Sequence, residues 1–99
     1  HVGAGTATDL SMGGCSVETP TGIPTGSLLA VHLYARDGEP PIIVGAAIVR
    51  SSYHLHIGLE FLRFSPKEED RLSQLMWTLW TQGTQEARSR PWLREHGAT

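Results

Sequence analysis

The chain has 99 residues, enough for one domain with a small hydrophobic core. Hydrophobic residues make up 39% of it and charged residues 18%, which indicates a folded protein and excludes a disordered one. A formal net charge of −2 gives no general attraction for a nucleic-acid polymer, and no apolar run reaches the roughly 18 residues that a membrane helix needs.

The first predicted elements are a strand, a loop and a second strand. Residues 15–18 alternate apolar and polar side chains, as a half-buried strand does. Residues 19–26, with two prolines and two glycines, predict a loop. Residues 27–36 predict a strand, because alternate apolar side chains would share one face.

The middle of the chain predicts two further strands. An Asp-Gly turn within Arg36–Glu39 leads to a return strand over 42–50, in which Gly45 predicts a bulge or bend. Ser51–Ser52 predicts the next turn. Residues 53–61 then alternate regularly, which predicts a strand that buries Tyr53, Leu55, Ile57, Leu59 and Phe61.

A change of period to that of a helix follows at Ser65. Serine as N-cap, Pro66 at the first helical position and Glu68 completing a capping box predict a helix over 66–82, with Gly83 as its C-cap. One apolar stripe predicts the core-facing side, made of Leu72, Leu75, Met76, Leu79 and Trp80. Trp77 lies off this stripe and could mark a partner surface.

The order of elements predicts the fold class and the domains. Short strands followed by one helix indicate a mainly β protein, a small antiparallel β-barrel or curled sheet with one C-terminal amphipathic α-helix that covers an open side. We expect the barrel and helix to occupy residues 1–83. Residues 84–99 form a polar, arginine-containing tail.

One motif lies ahead of these elements in the right place to suggest a family. The spacing Asp9-x-Ser11-x-x-Gly14, followed by a strand, hairpins, the segment Gly58-Leu59-Glu60-Phe61 and the helix, resembles a PilZ domain. The resemblance covers residues 6–82. It implies a bacterial receptor for cyclic di-GMP, built as a six-stranded barrel with the ligand on its outer surface.

The resemblance implies that Asp9, Ser11, Gly13 and Gly14 bind the ligand. A carboxylate can accept hydrogen bonds from a guanine edge, a hydroxyl can donate or accept one, and glycine lets backbone groups come close. The alternative is structural. Asp9 and Ser11 would then form only a local turn, and Gly13 and Gly14 would supply positive φ angles.

The family's other signature, Arg-x-x-x-Arg ahead of the first barrel strand, has no counterpart before Asp9 in this sequence. Because only eight residues precede Asp9, we expect the first strand to be absent, and without the arginine pair we expect cyclic di-GMP binding to be weakened. An open sheet edge would be covered by the tail or by a second copy of the chain. A second Arg-x-x-x-Arg stands at Arg90 and Arg94, either as a solvated tail or as a rearranged ligand clasp.

Other candidate sites are weak. His54 and His56 lack a clear third or fourth ligand, so no metal site is predicted. Cys15 lies in an apolar alternation that predicts an inert packed thiol, and as the only cysteine it favours a reducing, cytoplasmic location. No acid–base pair, phosphate loop or triad stands out, so we expect no enzyme activity and no cofactor.

Two functions remain open. The first is a non-catalytic cyclic di-GMP-binding signalling module that acts on an unidentified protein partner. The second is a degenerate PilZ-like interaction or oligomerisation module that does not bind nucleotide, with a homo-oligomer as one form. Neither involves a nucleic-acid polymer or membrane insertion.

Overall fold

The computed structural model describes residues 2–35, 38–81 and 92–95. The elements, in chain order, are strands β1 (Val2–Ala4), β2 (Thr6–Ser11), β3 (Gly14–Glu18), β4 (Leu28–Leu33), β5 (Ile42–Tyr53) and β6 (His56–Arg63), helix α1 (Pro66–Thr81) and strand β7 (Trp92–Glu95). The strands predicted over 15–18, 27–36 and 42–50 are confirmed as β3, β4 and most of β5.

All seven strands form one antiparallel sheet in the order β1-β7-β4-β5-β6-β3-β2. Its two edge strands, β1 and β2, are chain neighbours separated only by Gly5, so the sheet curls until its edges meet there. Within the described residues these two strands do not pair with each other. The mainly β class with a C-terminal helix is confirmed, but the hydrogen-bond ladder does not close into the expected barrel.

The hydrophobic core lies on the inner side of the curled sheet, where α1 covers it. Alternate residues of the strands point inward, as the pleat requires. Leu72 of α1 completes the core and is fully buried. The core contains Ala7, Leu10, Cys15, Val17, Ile23, Leu29, Val31, Leu33, Ile42, Val44, Ala47, Val49, Ile57, Leu59, Phe61 and Leu72.

Two features of β4 and β5 bear on the sequence predictions. The pairing of β4 with β5 shifts register between Leu29 and Val31, opposite Gly45, which confirms the predicted bulge. Arg36 and Asp37 of the predicted turn lie outside the described residues. Gly38, next in the chain, has a φ of 82°, a value that glycine adopts without strain.

The turn between β5 and β6 lies later than predicted. β5 continues through Ser51–Ser52 to Tyr53, and the chain reverses at His54, which has a φ of 53°. Tyr53 is therefore 72% exposed and Leu55 60% exposed, so their predicted burial is wrong. The alternating pattern of residues 53–61 runs through the turn, and alternation by itself does not mark where a strand reverses.

The start of the helix is confirmed. Ser65 Oγ accepts a hydrogen bond from the Glu68 backbone N–H at 3.4 Å. The Glu68 carboxylate does not complete the capping box, because it accepts from the Ile43 N–H at 2.7 Å. Arg71 lies 3.2 Å from Glu68 and donates to the carbonyl oxygens of Pro40 and Pro41 at 2.6 and 2.9 Å. These polar contacts attach the first turns of α1 to the segment that enters β5.

The predicted apolar stripe of α1 is confirmed except at its end. Leu72 is buried, and Leu75, Met76 and Leu79 are partly buried against the core. Trp80, however, is 69% exposed, because it lies about 80° around the helix from Leu72 at 100° per residue. It contacts Trp77, which is 64% exposed, with ring centroids 5.4 Å apart.

The ends of the sequence contribute strands that the sequence analysis did not predict. β1 and the first half of β2 precede Asp9, so the expectation that the first strand is absent is wrong. β7 lies in the predicted tail and pairs with both β1 and β4, which confirms that the tail covers an otherwise open edge. The division of the chain at residue 83 stays a prediction. In the described part of the chain, no helix is long and apolar enough to span a bilayer.

Candidate functional site

The Asp-x-Ser-x-x-Gly motif lies where β2 turns into β3, at one edge of the sheet. Asp9 has a φ of 50°, in the left-handed region that non-glycine residues adopt rarely, although aspartate tolerates it better than most. The β2–β3 pairing is irregular there, between Thr8 and Ser11. The next side chain, Leu10, is buried in the core, so the irregularity fixes Asp9 on the outside.

The Asp9 carboxylate is available to a ligand. It is exposed, and within the described residues it makes no hydrogen bond or ion pair. A backbone held in a sparsely populated conformation costs about 1–3 kcal/mol, and such residues cluster at ligand sites. The position therefore combines a strained backbone with an unpaired acceptor.

Ser11 has a local role in the turn. Its Oγ accepts a hydrogen bond from the Gly13 N–H at 3.2 Å and donates to the Gly14 carbonyl oxygen at 3.3 Å. This is the side-chain-to-backbone turn that the structural alternative predicted. That alternative is wrong about the glycines, because positive φ occurs at Asp9 and at neither Gly13 nor Gly14.

Gly14 is needed for a different reason, the close approach of β3 to β6. A Cβ at this position would collide with the carbonyl oxygen of Leu59 on β6. One residue earlier, the carbonyl oxygen of Gly13 accepts a hydrogen bond from the Phe61 N–H at 2.8 Å. The turn is thus held directly against β6, which fixes its position on the sheet.

Beside the turn, the outer face of the sheet is polar. Thr8, Ser16 and Gly58 lie across β2, β3 and β6 in one cross-strand row, and Gly14 pairs with Glu60 in the next. Ser51 Oγ lies over Gly58 and Gly14 is buried against β6, so the side chains next to the turn on this face are the small ones of Thr8 and Ser16. A flat group such as a purine ring could lie against this face next to the Asp9 carboxylate.

The two candidate arginines of the tail are not brought to this face by any described contact. Arg90 lies outside the described residues. The Arg94 backbone lies in β7, in register with Val2 of β1 and Ala30 of β4. Val2 and Asp9 are at opposite ends of the β1–β2 segment, which is on the order of 20 Å long if extended.

The sequence analysis missed one charged side chain on the outer face. Arg50 of β5 donates from Nε to Glu60 Oε1 of β6 at 2.6 Å. The sequence analysis predicted a turn at Ser51–Ser52, directly after Arg50, and so did not pair Arg50 with Glu60. In the structure the turn lies at His54, and the resulting β5–β6 register places residues 50 and 60 next to each other across the hairpin.

The remaining candidate groups are the Cys15 thiol and the histidines at the β5–β6 turn. Cys15 is buried, and burial raises the pKa of its thiol to about 12, so it is protonated at neutral pH and inert as a nucleophile. His54 and His56 lie at the exposed β5–β6 turn. In the ranges that the structure describes, no three histidine, cysteine or acidic side chains form a group suited to a metal ion.

Comparison with known proteins connects these observations to a family. The family model described as the PilZ domain matches residues 2–76, from β1 well into α1, and the match includes the whole β2–β3 turn. Neither the curated proteins nor the solved structures include a significant match to the chain.

Proposed function

The chain belongs to the PilZ domain family, and on that basis we propose that it is a non-catalytic, cytoplasmic signalling module that binds cyclic di-GMP. The observation that carries the proposal is the Asp9 carboxylate. It lies at the family's motif position, exposed, unpaired within the described residues and fixed by a left-handed backbone conformation.

The proposed contact follows from the chemistry of guanine. The N1–H and the N2 amino group of guanine point in the same direction, and an ionised carboxylate has two oxygens that can accept from both. Charge-assisted hydrogen bonds of this kind contribute about 1.5–3 kcal/mol each. The small side chains of Thr8 and Ser16 on the outer face beside Asp9 leave room for the plane of the ring.

The affinity of the 99-residue chain alone is expected to be low. No arginine or lysine precedes Asp9 in the sequence, where the family's paired arginines would stand. Two charge-assisted partners are together worth roughly 3–6 kcal/mol. Their absence weakens binding roughly 10²–10⁴-fold relative to a member that has them.

The test compares Asp9→Asn with Asp70→Asn in titrations with cyclic di-GMP, followed by calorimetry and by amide NMR shifts. Asparagine tolerates the left-handed conformation, so Asp9→Asn removes the charge and leaves the turn intact. Asp70, exposed on α1, provides the same change in charge elsewhere. We expect Asp9→Asn to weaken binding about tenfold or more, and Asp70→Asn to leave it unchanged.

Two results would contradict the proposal. One is equal affinity of the two variants. The other is no detectable binding of cyclic di-GMP to the wild-type chain at millimolar concentrations. Micromolar binding by the wild-type chain would uphold the site and refute only the claim of weak affinity.

A second function, an interaction or oligomerisation module that does not bind nucleotide, is supported by the exposed pair of Trp77 and Trp80 on α1. Exposed tryptophans are enriched at protein interfaces. Light scattering of the wild-type chain and of a Trp77→Ala, Trp80→Ala variant tests it. A concentration-dependent dimer that the double substitution abolishes, together with no cyclic di-GMP binding, would favour this function.

A further inference from the structure

Arg50 is the extra residue of a β-bulge on the outer face of the sheet. Its neighbour Val49 pairs with Leu59, and Ser51 pairs with Gly58, so Arg50 has no residue opposite it. Bulges bend a strand and re-aim the bulged side chain, and they are over-represented next to functional sites. The Arg50 side chain is turned towards Glu60 on the neighbouring strand.

The way Glu60 holds Arg50 leaves the guanidinium open to an anion. The carboxylate accepts from Nε at 2.6 Å, and within the described part of the chain neither terminal nitrogen donates to another protein group. One N–H from each of those two nitrogens points away from Nε, and together these two donors form a fork at the end of the exposed side chain. This fork matches two oxygens of a phosphate, the bidentate geometry that arginine forms best.

Glu60 positions this fork beside the motif turn. It lies in register with Gly14 on the adjacent strand, and antiparallel partners have Cα atoms about 4.5–5.5 Å apart. The Ser51 hydroxyl oxygen lies over Gly58, in the next row of the same face away from the turn, and adds a polar group beside the fork. An exposed ion pair adds little to folding stability, and this one orients the guanidinium.

The other described arginine side chains do not offer the same arrangement. Arg71 is occupied by Glu68 and by the carbonyl oxygens of Pro40 and Pro41. Arg63 lies at the end of β6 with Phe61, Phe64 and Glu69, around a small cleft next to α1. Arg50 is thus the described arginine that combines an open fork with a place on the outer face.

We propose that Arg50 binds a phosphate group of a nucleotide that lies on the outer face beside the β2–β3 turn. This inference rests on the proposed function for the identity of the nucleotide, cyclic di-GMP. Arg50 would supply this site with a cation from a strand of the sheet. In the family signature, the arginines lie in a segment ahead of the first strand.

The experiment uses the full 99-residue chain with Arg50→Ala, Arg50→Lys and the control Arg63→Ala, which removes the same charge on the side next to α1. Two probes are titrated by NMR, cyclic di-GMP and inorganic pyrophosphate. We expect Arg50→Ala to weaken both about tenfold or more, Arg50→Lys to retain part of the affinity, and Arg63→Ala to match the wild type. The pyrophosphate shifts should centre on Arg50, Ser51 and Gly58.

The two probes separate this inference from the proposed function. If cyclic di-GMP binds but Arg50→Ala behaves like Arg63→Ala, the Arg50 inference is overturned and the proposed function stands. If cyclic di-GMP does not bind but pyrophosphate binds in an Arg50-dependent way, the phosphate site stands and the proposed function fails. If neither probe binds, both are overturned.

Discussion

Replacing Gly14 by alanine tests whether the last residue of the motif is required by the packing of the sheet. The added Cβ would collide with the Leu59 carbonyl oxygen and lie 3.2 Å from the Leu59 carbonyl carbon and 3.3 Å from Glu60 Cα. All three atoms are backbone, so the β3–β6 ladder itself must move. Overpacking costs about 1–3 kcal/mol, and losing the Gly13–Phe61 hydrogen bond costs about 0.5–1.5 kcal/mol more. We therefore expect a loss of about 2–4 kcal/mol in the free energy of unfolding.

Gly13→Ala is the matched control. The nearest atom to its added Cβ is Ser11 Oγ at 4.0 Å, and Gly13 does not have a positive φ. Restricting the unfolded chain should make this variant about 0.4–1 kcal/mol more stable. Urea denaturation of both variants, without ligand, measures the difference. If Gly14→Ala lies within half a kcal/mol of Gly13→Ala (roughly the spread of neutral substitutions), the packing argument is refuted.

Three further predictions concern the core, the thiol and the helix. Leu72→Ala should cost about 2–5 kcal/mol and the partly buried Leu75→Ala clearly less, and equal losses in denaturant melts would contradict the described burial. Cys15, with its pKa raised to about 12, should react with a thiol reagent at pH 8 only after denaturation. The folded state binds this proton more tightly than the unfolded state, so the free energy of unfolding should decrease as pH rises from about 9 towards 12. In Cys15→Ala the decrease that is due to this thiol should be absent. Arg71→Ala should cost about 1–3 kcal/mol through its lost contacts with two carbonyl oxygens and Glu68, and an unchanged melt would show that these contacts do not hold α1.

The strands and the helix start were predictable because one physical cause dominates each of them. β3 and β4 each have one buried and one exposed face, so alternation marks them directly. Ser65 and Pro66 mark the helix start by local hydrogen bonding and a fixed φ. β1 was missed because Val2–Ala4 is short and contains glycine. It is stabilised by pairing with β7, which begins at residue 92 in the sequence.

The site was only partly predictable. Asp9, Ser11 and Gly14 form a local motif whose spacing, together with the order of the elements that follow it, carries the resemblance to the family. Arg50 acquires its place through pairing with β6, and the misplaced turn gave that pairing the wrong register. Trp80 shows the same limit on the helix, since a stripe defined by spacing does not show how far around the helix the buried face extends.

The central claim is that a guanine nucleotide binds on the outer face of the sheet beside the β2–β3 turn. An amide chemical-shift map of the ¹⁵N-labelled chain, recorded during titration with cyclic di-GMP, tests it most directly. The account predicts that the largest shifts fall on residues 9–14, Ser16, Gly58 and Glu60, with the indole signals of Trp77 and Trp80 unmoved. Shifts concentrated on α1, or none at millimolar ligand, would contradict the claim.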